Sequence, residues 1–144
     1  MATTQPLYTI VLAGGKGVRM RSRDRHKVCF EVGGVPAIVR AIEAYNLLGA
    51  VQNVVVVGEM AGQVVETVGR RFSNVVFAYQ PEALGTGNAA RCGLQALAAV
   101  DDRARVLVVA GDKLVEGATL ERLLAHAEHT ASDLTLLVSP SGFA

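Results

Sequence analysis

Unbroken apolar runs of five or six residues alternate along this chain with longer stretches in which apolar residues recur every three to four positions. Residues 8–13 form the first run, continuous in the way expected of a strand buried on both faces. Runs at 53–57, 75–79 and 105–110 repeat the pattern, and 134–138 predicts a fifth strand. Between them, Ile38, Ala41, Ile42, Tyr45 and Leu48 lie at helical spacing, with Pro36 suited to the first turn and Gly49 to the stop. A helix over 63–71, an Ala-rich helix ending near residue 99 and a helix face of Leu120, Leu123, Leu124 and Ala127 complete the alternation. Strands and helices in strict succession predict an α/β fold, a mostly parallel sheet with helices on both faces.

Three polar segments interrupt this pattern, at 14–27, 80–87 and 111–112, and each follows the carboxyl end of a predicted strand. Ligands of open α/β sheets bind at that edge. The first segment is also long for a connection inside a compact domain, and long loops there tend to be functional.

The 144 residues suit one domain, and a content of 51% hydrophobic against 19% charged residues supports a buried core rather than a disordered chain. With 14 basic and 13 acidic residues, no global field draws the protein to nucleic acid or to an anionic membrane, so phosphate recognition has to be local. The apolar runs fall far short of the ~20 residues of a membrane span, and the first six residues lack signal-peptide features. Cys29, expected in a short strand, and Cys92, expected to be structural within a helix, are too few for a disulfide framework and have no zinc spacing. A cytoplasmic location is the expectation.

The candidate chemistry lies in the three polar segments. In the first, Gly14, Gly15 and Gly17 let backbone N–H groups approach phosphate oxygens, and Lys16, Arg19 and Lys27 add positive charge. A phosphate-binding loop of the Lys-Ser/Thr type is absent, and Met20 stands where the dinucleotide fingerprint needs its third glycine. A tight turn with incidental surface charge fits these residues equally well. In the second segment, Gln80 offers an amide to a pyrimidine edge, with Gly85 and Thr86 beside it, although Thr86 could instead cap the following helix. In the third, Asp112 could hold Mg²⁺ against phosphate oxygens or merely cap the next turn. His126 and His129, three apart on a predicted helix without a third ligand, read as solvated side chains.

The stretch Leu12-Ala-Gly-Gly-Lys-Gly-Val-Arg-Met20, followed by Lys27 and Val32-Gly-Gly-Val-Pro36, resembles the N-terminal signature of the sugar-1-phosphate nucleotidyltransferases, most of all the bacterial N-acetylglucosamine-1-phosphate uridylyltransferases. Gln80 and the following Leu84-Gly-Thr-Gly-Asn-Ala89 are similar to that family's base-recognition segment, and Gly111-Asp112 to its metal-binding pair. The resemblance implies a Rossmann-like nucleotidyltransferase fold, of which residues 1–144 would be the nucleotide-binding part of a catalytic domain incomplete at its C-terminus. It implies nucleotide contacts at Leu12, Ala13, Gly14, Gly15, Lys27, Gln80, Gly85 and Thr86, catalytic roles for Arg19 and Lys27, and Mg²⁺ on Asp112. The partners it implies are an NTP, with UTP favoured, and a sugar-1-phosphate, and it is compatible with a homo-oligomer.

Val18, His26 and Lys113 depart from the family pattern, which usually has a hydroxyl residue, a proline and a Pro-Leu stretch at these places. Two further readings stay open: a nucleotide-binding fragment without turnover, and a guanylyl- or cytidylyltransferase of the same fold, since Leu-Ala-Gly-Gly occurs there too.

Overall fold

Four parallel strands, β1 (Leu7–Ala13), β4 (Ala50–Val57), β5 (Val75–Tyr79) and β6 (Arg105–Ala110), form one sheet in the order β5-β4-β1-β6. The computed structural model describes residues 5–15, 24–100 and 102–138. Contacts divide the chain into two units, Met1–Leu114 and Val115–Ala144, and the sheet belongs wholly to the first.

Alternation along the strands sends their side chains to two different helical layers. Tyr8, Ile10, Leu12, Val54, Val56 and Ala78 face α3 (Thr86–Gln95) and pack with its Ala89 and Cys92 and with Leu97 beyond its end. Thr9 and Asn53 point to the opposite face, where α1 (Ala37–Leu47) lies, with α2 (Ala61–Gly69) packed beside it. The expected layered architecture is thus present.

The approach of α3 depends on Gly93, because a Cβ there would sit 2.4 Å from Ile10 Cγ2 and 3.1 Å from Val56 Cγ2. On the other face a polar chain crosses the core. Thr9 Oγ1 donates to Asn53 Oδ1 at 2.6 Å, and Asn46 Oδ1 accepts from both Asn53 Nδ2 and Asn74 Nδ2, at 2.8 and 2.9 Å. Thr9 and Asn53 are fully buried, so these bonds meet the need of polar groups removed from water. Strand β6 is the outermost strand on its side of the sheet, and its Val106 and Val108 stay 38% and 45% exposed.

Local departures from the sequence reading have physical causes. Cys29 lies in a 3-10 turn, Lys27–Cys29, and the strand pairing begins only at β2 (Glu31–Val32), which forms a hairpin with β3 (Val35–Pro36). Gly33 and Gly34 both take positive φ, 59° and 76°, as a tight hairpin turn demands, and Arg40 of α1 donates to the carbonyls of Val32 and Gly33. Pro36 therefore ends the hairpin, and α1 starts one residue later. Gly49 stops α1 as expected, with φ 85°.

In the second unit, α4 (Gly117–Thr130) carries the exposed His126 and His129, and no group of three or more potential metal ligands exists among the described residues. The fifth strand is not formed. Residues 134–138 have no ladder partner among the described residues, and Leu134, Leu136 and Val138 are at least 70% exposed. An apolar run becomes a strand only where an edge receives it.

His26 organises the turn that carries Lys27. Its Nδ1 accepts from the Val28 N–H at 3.4 Å, its carbonyl accepts from the Cys29 N–H at 2.9 Å, and its Nε2 is buried without a hydrogen-bond partner among the described residues. Burial, assisted by the Lys27 charge, lowers its pKa below the ordinary histidine value; the backbone of Ala13 and Gly15 and the charge of Glu59 oppose the shift without cancelling it.

Two measurements check this packing. Gly93→Ala should destabilise the fold by about 1–3 kcal/mol through overpacking against Ile10, read as a lowered Tm; an unchanged Tm would show that α3 does not sit as described. Because folding disfavours protonated His26, stability should decline as pH falls below the ordinary histidine value and level off below the lowered one. His26→Gln should remove that part of the pH dependence in denaturant titrations.

Candidate nucleotide and metal site

Strand β1 is the point at which the chain reverses direction across the sheet. The connections through α1 and α2 run from β1 outward to β4 and β5, whereas the next one returns to place β6 on the other side of β1. The connections that leave β1 and β6 consequently run to opposite sides while the strands stay paired, and such a reversal of strand order is where α/β sheets bind ligands.

The residues at that edge follow from strand register. Ala13 pairs with Val57 and Val57 with Tyr79, so Gly14, Gly58 and Gln80 leave the sheet side by side. The two glycines leave no room for a side chain of their own. A Cβ on Gly58 would lie 2.8 Å from the Gly14 carbonyl oxygen, and one on Gly14 would lie 2.6 Å from Gln80 Oε1. On the other side of β1, the Gly111 N–H donates to the Leu12 carbonyl at 2.9 Å and sets Asp112 just past the end of β6.

Lys27 and Asp112, 85 residues apart in sequence, meet at this end. Lys27 Nζ donates to Asp112 Oδ2 at 2.8 Å, and the lysine side chain also lies 3.8 Å from where a Cβ on Gly15 would be. Burial alone would push the Asp112 carboxyl up, but the hydrogen bond and charge of Lys27, its own backbone N–H and the charge of Lys113 together hold it below the usual carboxylate value. The two side chains are 25% and 35% exposed, so the pair adds at most about 1 kcal/mol to stability and can be exchanged for a ligand at little cost. The Asp112 carboxylate thus combines a local contact to its own backbone N–H with the long-range one to Lys27.

Gln80 is 5% exposed, and its amide orientation is set by its neighbours. Nε2 donates to Asn88 Oδ1 at 2.8 Å and, more weakly, to the Gly85 carbonyl at 3.4 Å. A carbonyl can only accept, so the nitrogen must face Gly85 and the oxygen is left toward Gly14. Gly85 itself takes φ 96° and occupies the position before α3, which displaces Thr86 into the helix as its first residue. The alternative in which Thr86 caps the helix therefore fails, and the exposed residue makes no side-chain cap bond.

The structure thus brings Leu12, Ala13, Gly14, Gly15, Lys27 and Asp112 to one end of the sheet, with Gln80, Gly85 and Thr86 along the same edge. Arg19 and Lys16 lie outside the described residues. Sequence reading missed Gln63, in the first turn of α2. Its Oε1 accepts from the His26 N–H and its Nε2 donates to the Asp24 carbonyl, both at 2.7 Å. Nothing local to residue 63 signals a partner that is 37 to 39 positions away.

The donor set fits one kind of metal chemistry. A single carboxylate, Asp112, cannot make a self-sufficient metal centre, but Mg²⁺ ordinarily keeps several waters and takes only one or two carboxylates together with substrate phosphates.

A family model described as the MobA-like NTP transferase domain matches residues 9–144. The chain is 41% identical over 149 aligned positions to the bifunctional protein GlmU of Kineococcus radiotolerans, an alignment that covers 98% of this chain and 30% of that one. Among solved structures it is similar to a nucleotidyl transferase from Methanothermobacter, with TM-score 0.67 and 25% identity over 84% of this chain and 57% of the other. It shares its fold with a proposed glucose-1-phosphate thymidylyltransferase from Bacillus anthracis, with TM-score 0.65 and 23% identity over 83% of this chain and 50% of that chain. This chain therefore spans less than a third of the GlmU relative. The glycine-rich turn, the Gln80 segment and the Gly111-Asp112 pair, which carried the resemblance to nucleotidyltransferases, lie within the matched range, and the chain belongs to the MobA-like NTP transferase domain family.

Proposed function

We propose that this chain supplies the nucleotide-binding part of a catalytic domain that transfers a nucleotidyl group, uridylyl by preference, from an NTP to a sugar-1-phosphate with release of pyrophosphate. The observation that carries the reading is the Lys27–Asp112 pair at the reversal of strand order, beside the Gly14-Gly15 turn. A cation and an anion held together beside Gly14 and Gly15 are matched to the two charges that a metal-bound nucleotide brings. Lys27 would pair with phosphate, and the Asp112 carboxylate would then be available to hold the metal ion.

The attacking oxygen belongs to a sugar phosphate that is already ionised near neutral pH, so the chain needs no general base. Its task is to position and to neutralise charge. Lys27 offsets charge on the α-phosphate and the departing pyrophosphate, with Arg19 assigned the same work by the family resemblance. Backbone at Gly14 and Gly15 approaches the phosphates. Asp112 would hold Mg²⁺, which supplies charge compensation between phosphate groups when bound.

Recognition of the base falls to the far side of β1. Strands are spaced ~4.8 Å apart, so the ends of β5 and β6, three spacings apart, lie roughly 14 Å from each other. An extended nucleotide laid across these ends would place its base near Gln80, Gly85 and Thr86 and its phosphates near Lys27. With Nε2 engaged by Asn88 and Gly85, Gln80 presents an acceptor, which suits the N3–H of uracil and not the N3 lone pair of cytosine. This favours UTP over CTP. The absence among the described residues of a helix long and apolar enough to cross a membrane is compatible with a cytoplasmic site of action.

Pyrophosphate release with UTP, Mg²⁺ and a panel of sugar-1-phosphates tests the activity. Turnover should fall on the order of a hundredfold in Lys27→Met and in Asp112→Asn; nucleotide binding without any turnover would reassign the chain as a binding module. Calorimetry tests the base assignment. Gln80→Leu should weaken UTP binding about tenfold while leaving the affinity for pyrophosphate unchanged, and equal loss for both ligands would remove Gln80 from base recognition.

A further inference from the structure

Lys27 is useful to a phosphate only if its backbone origin is fixed, because a lysine side chain carries about 2 kcal/mol of rotamer entropy and binds as a movable point charge. The three residues before it, Asp24, Arg25 and His26, carry polar side chains, so none of them offers an aliphatic anchor. Gln63 supplies a polar one. From the first turn of α2 it receives the His26 N–H on Oε1 and gives Nε2 to the Asp24 carbonyl, each at 2.7 Å. Both partners are backbone groups of fixed polarity, a donor and an acceptor, so the amide can sit in one orientation only. The amide satisfies both, whereas an ionised Glu can only accept and Lys can only donate.

The clamp is itself held in place. Gln63 donates its backbone N–H to the Met60 carbonyl, and Met60 takes a left-handed conformation, φ 57° and ψ 29°, immediately before α2. Beyond the clamp, His26 caps the 3-10 turn in which Lys27 is the first residue, and Lys27 reaches Asp112 past Gly15. A continuous path of hydrogen bonds and covalent bonds therefore joins the start of α2 to the ammonium group.

We infer that Gln63 is a positioning residue for nucleotide binding: by clamping the backbone at Asp24 and His26 it fixes Lys27 where the ammonium meets phosphate. The inference rests on the assignment of Lys27 to phosphate in the reading above.

A double-mutant cycle on UTP affinity, measured by calorimetry on the whole chain with Mg²⁺ present, separates positioning from general support of the fold. Gln63→Leu should weaken UTP binding by about five- to tenfold in the wild-type background and by less than about twofold when Lys27 is already Met. Gln63→Glu, which keeps the bond from the His26 N–H and loses the one to Asp24, should give an intermediate loss with the same dependence on Lys27; it carries the test if the leucine variant does not fold. Equal losses in the two backgrounds, or no loss in either, would overturn the inference. If Lys27→Met binds UTP as the wild type does, or the wild type binds none, the phosphate role of Lys27 fails first and the inference falls with it.

Discussion

Strand β1 has neighbours on both edges, and the chain reaches them from opposite directions. Everything at the candidate site depends on that placement. Because β4 and β6 are both parallel to β1, all four strands present their carboxyl ends on one side, and the loops that carry unusual residues emerge together there. The faces of the sheet take up the ordinary work of folding, with valines and isoleucines against α3 on one side and the Thr9, Asn53 and Asn46 chain on the other. The strand ends are left to backbone and polar groups. That division explains why the site can be crowded with glycine: Gly14 and Gly58 sit where neighbouring loops touch, and the core does not rely on them for packing.

Much of this was legible in the residues. The strands could be read because valine-rich runs of five or six, bounded by glycine and polar residues, admit few other structures, and parallel order follows from the helices between them. The glycine turn, Gln80 and Asp112 were legible for a related reason, since polar residues directly after a buried strand stand out against an apolar background. Their grouping was not legible. Lys27 and Asp112 approach each other only because β1 and β6 pair, and that contact has no local spacing. Gln63 was hidden in the same way, as a helical glutamine with no distinguishing neighbours in sequence.

The errors share a cause. Residues 134–138 have the composition of a strand, but composition alone does not bring about pairing. Thr86, whose alternative reading was a helix cap, has a favoured capping side chain, but Gly85 takes a positive φ and holds the position before the helix. Cys29 lies among residues that read as extended, and His26 captures them into a turn with its side chain and carbonyl. In each case a tertiary partner or a backbone angle outweighed local preference.

The outward edge of β6 gives the architecture a direction of growth. Both edges of β1 are occupied, and β5 and β4 are packed against Gly14 through Gln80 and Gly58, so that half of the sheet cannot be rearranged without disturbing the candidate site. Strand β6 is different: its inner edge holds β1, while Val106 and Val108 retain exposed apolar surface. Among the described residues no strand pairs with its outward edge, so the sheet can be lengthened there while Lys27, Gly14 and Gln80 keep their places, which makes the fold modular at the level of a single strand edge.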